Sequence, residues 1–223
     1  MPFISEAVEA MYRQDYLRAS MFLDQCFNDT PETWFWRACL LQLLIYDSGD
    51  GTLVDSFYRL TDRAARRCLL SAQAFPAEIE PLLYWGLVEL NRANMLGWQQ
   101  RRFDGLRAML RADQYFGQAA RISPNDIAVR FGQGVVEYFR ACASRYVFGL
   151  QLFGSRSRAY QALRKVEQSD VLLRAAAGFM LAFMYKEDRQ FDSSLAFCHR
   201  LLQNYPSNRA ARRLLRDALL AAG

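Results

Sequence analysis

Five cysteines and one histidine are the residues whose chemistry this chain would have to arrange. Cys26, Cys39, Cys68, Cys142 and Cys198 stand about 13 or more residues apart with no CxxC, and only His199 could add an imidazole. That spacing suits neither a metal site nor a disulfide framework. Each cysteine lies in an apolar helical stretch, where a free thiol packs as a small hydrophobe. His199, ahead of Pro206 and beside Arg200, reads as a surface residue. No acid pair and no nucleophile with its base stands at a useful spacing, so no catalytic residue, metal or cofactor is expected, although residues distant in sequence could still converge. The loop Asp47-Ser48-Gly49-Asp50-Gly51 resembles a calcium loop only superficially: its acids do not alternate correctly and no glutamate closes it. It is read as an interhelix turn.

Two basic regions invite a nucleic-acid or membrane reading. Trp98 and Arg101-Arg102-Phe103, followed by Arg107 and Arg111, mix rings with cations as base-stacking surfaces do. Asp104 and Asp113 interrupt them, and helical periodicity turns the arginines to solvent. The last helix sets Arg209, Arg212, Arg213 and Arg216 on one face and Ala210, Leu214, Leu215, Ala218 and Leu219 mainly on the other. That is the pattern of a terminal cap, with a membrane-surface or acidic-partner role as the alternative. Nucleic acid is not the expected partner.

What positions these residues is a recurring helical unit. Turn signals follow a helical run at Pro31, Pro76, Pro124, Ser169-Asp170 and Pro206, at intervals of roughly 37 to 48 residues. About eleven helices and no strand are predicted. Thr30-Pro31-Glu32 marks one start: the threonine caps, the proline suits the first turn, and the acid complements the positive helix end. With 223 residues and 52% hydrophobic content there is ample material for one continuous core, so residues 1–223 are expected to form a single domain. The net charge of +5 is interspersed along the chain rather than blocked. The first residues carry acids where a signal peptide needs cations, and the apolar runs Ala38 to Tyr46 and Ala175 to Tyr185 are too short to span a bilayer. The chain as given is expected to be soluble and cytoplasmic, with a periplasmic location left open should a leader precede it.

The last complete pair carries a specific pattern. Leu181, Ala182 and Tyr185 precede Phe191, Ser194, Cys198, Leu201 and Pro206, and this resembles the tetratricopeptide repeat (TPR), in which small residues let two helices cross closely and aromatics fill the gap to the next pair. Tyr16, Ala19, Leu23, Cys26 and Pro31 repeat the spacing; so do Ala64, Cys68, Ser71 and Pro76, and again Ala112, Phe116, Ala119 and Pro124. The middle repeats exceed the usual length of about 34 residues and enter the HEAT range. The TPR reading is preferred because the extra residues fall around Asp47 to Val54, Asn94 to Arg102 and Arg145 to Ser155, leaving the spacing before each proline intact. The resemblance implies an all-α, TPR-like right-handed superhelix of about five antiparallel helix pairs plus a C-terminal capping helix, with lengthened middle repeats.

Gly132-Gln133-Gly134 with Glu137 and Tyr138, then Phe153-Gly154-Ser155-Arg156 and Ala159 to Leu163, resemble a group of bacterial TPR proteins with paired glycines, alternating tyrosines and a Gly-Asp-Arg turn. Val136 replaces a tyrosine, Ser155 the aspartate and Ala159 a glycine. The resemblance implies a bacterial origin and no activity. No strand precedes Gly132 and Gly134, so they read as a helix-packing contact rather than a nucleotide loop.

In a TPR array the first helix of each pair lines the concave face. Counting from Trp36, Gly86, Gly132 and Ala182, the groove candidates are Trp34, Arg37, Leu41, Leu44, Leu83, Leu87, Asn91, Gln133, Phe179 and Phe183. Arg37 and Asn91 alone cannot build the carboxylate clamp with which some TPR modules grip acidic chaperone tails. The mostly apolar set implies a non-catalytic scaffold holding a hydrophobic segment of a protein partner. The alternatives are carriage of a small apolar or lipid-like ligand in a closed helical cavity, and a tightly wound array in which the same residues pack on one another.

Overall fold

The computed structural model describes residues 2–143 and 154–222. These form eleven α-helices: α1 (Pro2–Tyr12), α2 (Tyr16–Asp24), α3 (Pro31–Ser48), α4 (Val54–Ala74), α5 (Glu80–Trp98), α6 (Arg102–Ile122), α7 (Ile127–Ala143), α8 (Arg156–Glu167), α9 (Arg174–Glu187), α10 (Phe191–Asn204) and α11 (Arg209–Ala222). They follow one another as five successive pairs with α11 left over, as the repeat pattern predicts. The helices α9 and α10 have 14 residues each, whereas α4 and α6 have 21, so the lengthening lies in the helices themselves. The expected extra residues from Arg145 to Phe153 lie outside the described residues.

Local sequence explains the boundaries. Thr30 caps α3, its hydroxyl accepting from the Thr33 N–H at 3.3 Å, with Pro31 in the first turn. Gly49 ends the same helix with φ of 72°, a left-handed conformation open to glycine at little cost. Asp50 then caps a short 3-10 turn by accepting from the Thr52 N–H at 2.9 Å, so the calcium-like loop is an interhelix turn. Ser155 caps α8 by accepting from the Arg158 N–H.

The chain packs as two compact units. The first comprises Met1–Met11 and Asp15–Gly132. In it α3 packs on α4, α4 on α5, and α5 along α6. Ala38, Ile45, Val54, Phe57 and Met95 form a core cluster flanked by Leu41 and Tyr58. The repeat positions Ala19, Leu23, Ala64, Cys68, Ala112, Phe116 and Ala119 are all buried. Each large buried side chain contributes roughly 1.5–3 kcal/mol. Phe116 shows what the small residues are for. A β-carbon on Gly86 of α5 would stand 2.6 Å from its ring, and one on Gly132 of α7 nearer still, so one phenyl ring fills the space that two glycines vacate.

The second unit comprises Tyr12–Gln14 and Gln133–Gly223. Gly134, in the middle of α7, faces Ala162 and Leu163 of α8, and Gly154 lies against the α7 backbone at Ala141. Both glycines of the 132–134 pair therefore serve helix packing. Here α8 packs on α9, α9 on α10, and α10 on α11. Ser194 donates to the Ala182 carbonyl oxygen at 2.8 Å, so the small residues of the last pair meet where the helices cross. Rings of Tyr160, Tyr185 and Phe197 stack in series across α8, α9 and α10, with centroids 4.5 and 5.7 Å apart.

Candidate functional site

The first helix of each pair carries the candidate residues, and packing assigns them different surroundings. On α3, Trp34 is turned toward the preceding turn and α4. Its indole N–H donates to Asp29 Oδ1 at 2.6 Å, and the Arg63 guanidinium lies 3.7 Å from the ring centroid. Arg37 donates to the Leu23 carbonyl oxygen at 2.9 Å and pairs with Asp24 at 3.3 Å. Leu41 packs on the α3–α4 core, and Leu44 is half-buried.

On α5, Leu83 is half-buried while Leu87 is 3% exposed. Asn91 is also buried: its amide donates to Cys39 Sγ at 3.4 Å, and its backbone carbonyl accepts from Gln42 Nε2 at 3.1 Å. Leu87 and Asn91 are thus taken up by packing within the first unit, and α3 meets Asn91 through Cys39 and Gln42. In the second unit Gln133 of α7 and Phe179 and Phe183 of α9 are half-buried, and the Lys186 ammonium stands 5.7 Å from the Phe183 ring centroid.

Several polar contacts beside these residues have no signature at short sequence range. Tyr84 on α5 donates its hydroxyl to Glu32 Oε1 on α3 at 2.6 Å. Burial, reinforced by that carboxylate, pushes the phenol far above its ordinary value. Burial also raises the Cys39 thiol. Glu89, whose side chain is 3% exposed, accepts from Arg92 and from Arg111, each at 2.8 Å, and Arg92 reaches on to Asp62. The carboxylate is buried but neutralised by two guanidinium groups. In the second unit Asp188 accepts from Arg156 at 2.7 Å and from the Tyr160 hydroxyl at 3.1 Å.

Among the described residues no group of three or more His, Cys, Asp or Glu is placed to hold a metal ion, and no helix is long and apolar enough to cross a membrane. Cys68 and Cys198 are fully buried, and burial pushes their thiols up to about 12 and about 11. They are packing residues in a protonated state, as the apolar spacing predicts.

Neither a protein-family model nor a curated protein matches the sequence. Among solved structures, the chain is similar to a thermophilic TPR protein from Thermus thermophilus, with a TM-score of 0.56 at 16% identity over 96% of this chain and 95% of that one. The fold is TPR-like. Gly86 on α5 meets the buried Phe116 ring of α6, and Ala182 on α9 and Cys198 on α10 are both fully buried. A TPR-like fold at this identity carries its packing rules to the chain and leaves its ligand open.

Proposed function

We propose that the chain is a non-catalytic protein-interaction scaffold whose first-of-pair helices hold a hydrophobic segment of a partner. TPR-like folds generally serve this way, because helix pairs bury themselves against neighbours and leave one side of the first helices available. The observation that carries the reading is the pair Phe179 and Phe183. They stand one turn apart on α9 and are half-buried, whereas Leu181, Ala182, Met184 and Tyr185 on the same helix are committed to the core. Two rings at i and i+4 lie side by side on α9 and offer one continuous apolar strip to the apolar face of a partner segment. Lys186 beside Phe183 adds a cation at the edge, suited to an acidic residue flanking the partner's apolar anchors.

The test is a pulldown from lysate of the source organism with wild type and Phe183→Glu side by side, each checked by circular dichroism. Loss of a specific protein from the folded variant supports the reading. Equal capture by both proteins removes α9 from the binding site, and unfolding of the variant assigns Phe183 to the core.

A further inference from the structure

The two units differ in charge. Tyr12–Gln14 with Gln133–Gly223 carry 15 Lys and Arg against 7 Asp and Glu, net +8, while the rest carries 13 against 16, net −3. The modest overall +5 conceals a strongly basic half. Helix α11 concentrates it. Arg209, Arg212, Arg213 and Arg216 follow i, i+3, i+4 and i+7, so they form one stripe. The opposite face buries Ala211, Leu214 and Ala218.

The arginine stripe changes character in the last turn. Helical register places Leu220 in its middle and Leu219 at its edge, and these side chains are 76% and 54% exposed. The base of the helix is held firmly. Asn208 Oδ1 accepts from the Ala211 N–H at 2.9 Å, Asn208 Nδ2 donates to the Tyr12 carbonyl at 2.9 Å, and Ser207 donates to the Arg13 carbonyl at 2.6 Å. Arg212 reaches the Pro206 carbonyl, and Arg216 lies beside Asp217 with its side chain 69% exposed.

We propose that this stripe of α11 docks on an anionic lipid surface, with Leu219 and Leu220 entering the acyl boundary and Arg212 and Arg216 at the phosphates above it. A surface that is cationic for three turns and apolar in the fourth matches the gradient of a bilayer interface, where charged headgroups overlie hydrocarbon. A nucleic acid would engage the arginines and leave the leucines unexplained, and α11 has no ring on which a base could stack.

The full chain is to be sedimented with vesicles of equal parts phosphatidylcholine and phosphatidylglycerol, and with vesicles of phosphatidylcholine alone. The expected result is binding to the mixed vesicles only. Leu219→Ser with Leu220→Ser, and separately Arg212→Glu with Arg216→Glu, are each expected to lower the bound fraction about tenfold or more. All four side chains are exposed, so melting by circular dichroism is expected to stay unchanged in the leucine variant and to fall by no more than the exposed Arg212–Pro206 and Arg216–Asp217 contacts allow in the arginine variant. Absence of binding to the mixed vesicles, or binding that survives both double variants, overturns the proposal. So does retention of a single-stranded DNA oligonucleotide that depends on the arginines and not the leucines. A particle mass in light scattering that falls by half only in the leucine variant would assign the stripe to a second copy of the chain and equally overturn it.

Discussion

Phe116 and Gly132 share a space that holds one ring and no β-carbon: the phenyl group is fully buried, and Gly132 and Gly86 border it from two other helices. The ring is fully buried, so any shift it makes to admit a β-carbon must displace packed neighbours. Gly132→Ala and Gly86→Ala are therefore each expected to destabilise the protein by about 1–3 kcal/mol through overpacking, despite alanine's better helix propensity. Phe116→Ala removes the ring itself and should cost about 3–5 kcal/mol. Urea denaturation of the three variants checks this, and a Gly132→Ala protein as stable as wild type would contradict the packing.

Glu89 is the next point of sensitivity. Its carboxylate is buried between two guanidinium groups, of which Arg92 is the more buried and Arg111 is about half exposed. Glu89→Ala takes the shared anion from Arg111 and leaves Arg92 with Asp62, and should cost about 1–3 kcal/mol. Arg111→Ala should cost less than Arg92→Ala, because water can replace the exposed partner and not the buried one. The ordering of the two arginine variants in denaturant midpoints is the readout.

Glu80 predicts a pH dependence. Partial desolvation raises its carboxyl above the ordinary value, and Glu32 and Glu78 push in the same direction. The residue is exposed and water screens much of the effect, so the pH dependence is small. The folded state then holds the proton more tightly than the unfolded one. This group's contribution is favourable below the unfolded carboxylate range and is lost as pH rises through the raised folded value. Glu80→Gln should melt higher than wild type at neutral pH, with the difference vanishing below about pH 4. Melting curves that stay parallel across the acid range would refute the assignment.

Cys68 and Cys198 should be silent toward thiol reagents. Both are fully buried with thiols pushed up to about 12 and about 11. Labelling of wild type at mildly alkaline pH, mapped by mass spectrometry, is expected to leave these two unmodified until denaturant is added. Modification of Cys198 in the folded protein at the rate of a free thiol would place α10 differently.

The signals that could be read from the chain were local or repeated. Thr30-Pro31 sets a helix start with its own hydroxyl and ring, and the spacing before Pro31, Pro76, Pro124 and Pro206 recurs because the same crossing recurs. The candidate surface was harder to phase. On α3 both Trp34 and Trp36 read as apolar, yet Trp36 and Ala38 are buried while Trp34 is claimed by Asp29 and Arg63. Those partners lie beyond the helix, so no periodicity within α3 announces them. Glu89 meets Arg111 from 22 residues away, and Tyr84 meets Glu32 from 52. A contact between helices at such separations leaves no mark in either sequence alone. The glycines at 132 and 134 announce close approach, whereas Phe116 as the residue that approaches emerges only from the packing.

The joints inside the pairs have a consequence for how such a chain can change. Gln14, Gln100 and Arg189 adopt φ of 61°, 63° and 59°, each in the turn between the two helices of a pair. Each is followed by an amide that reaches back five residues to a carbonyl: Asp15 to Ala10, Arg101 to Leu96, and Gln190 to Tyr185, at 2.8 to 2.9 Å. The joint is therefore closed by main-chain atoms and tolerates glutamine or arginine where glycine would be easier. A hinge written in the backbone can be copied along with its helices and will close again whatever side chain it carries. Duplication of a helix pair joined in this way carries its inner joint along intact, and only the connection to the next pair has to be made anew.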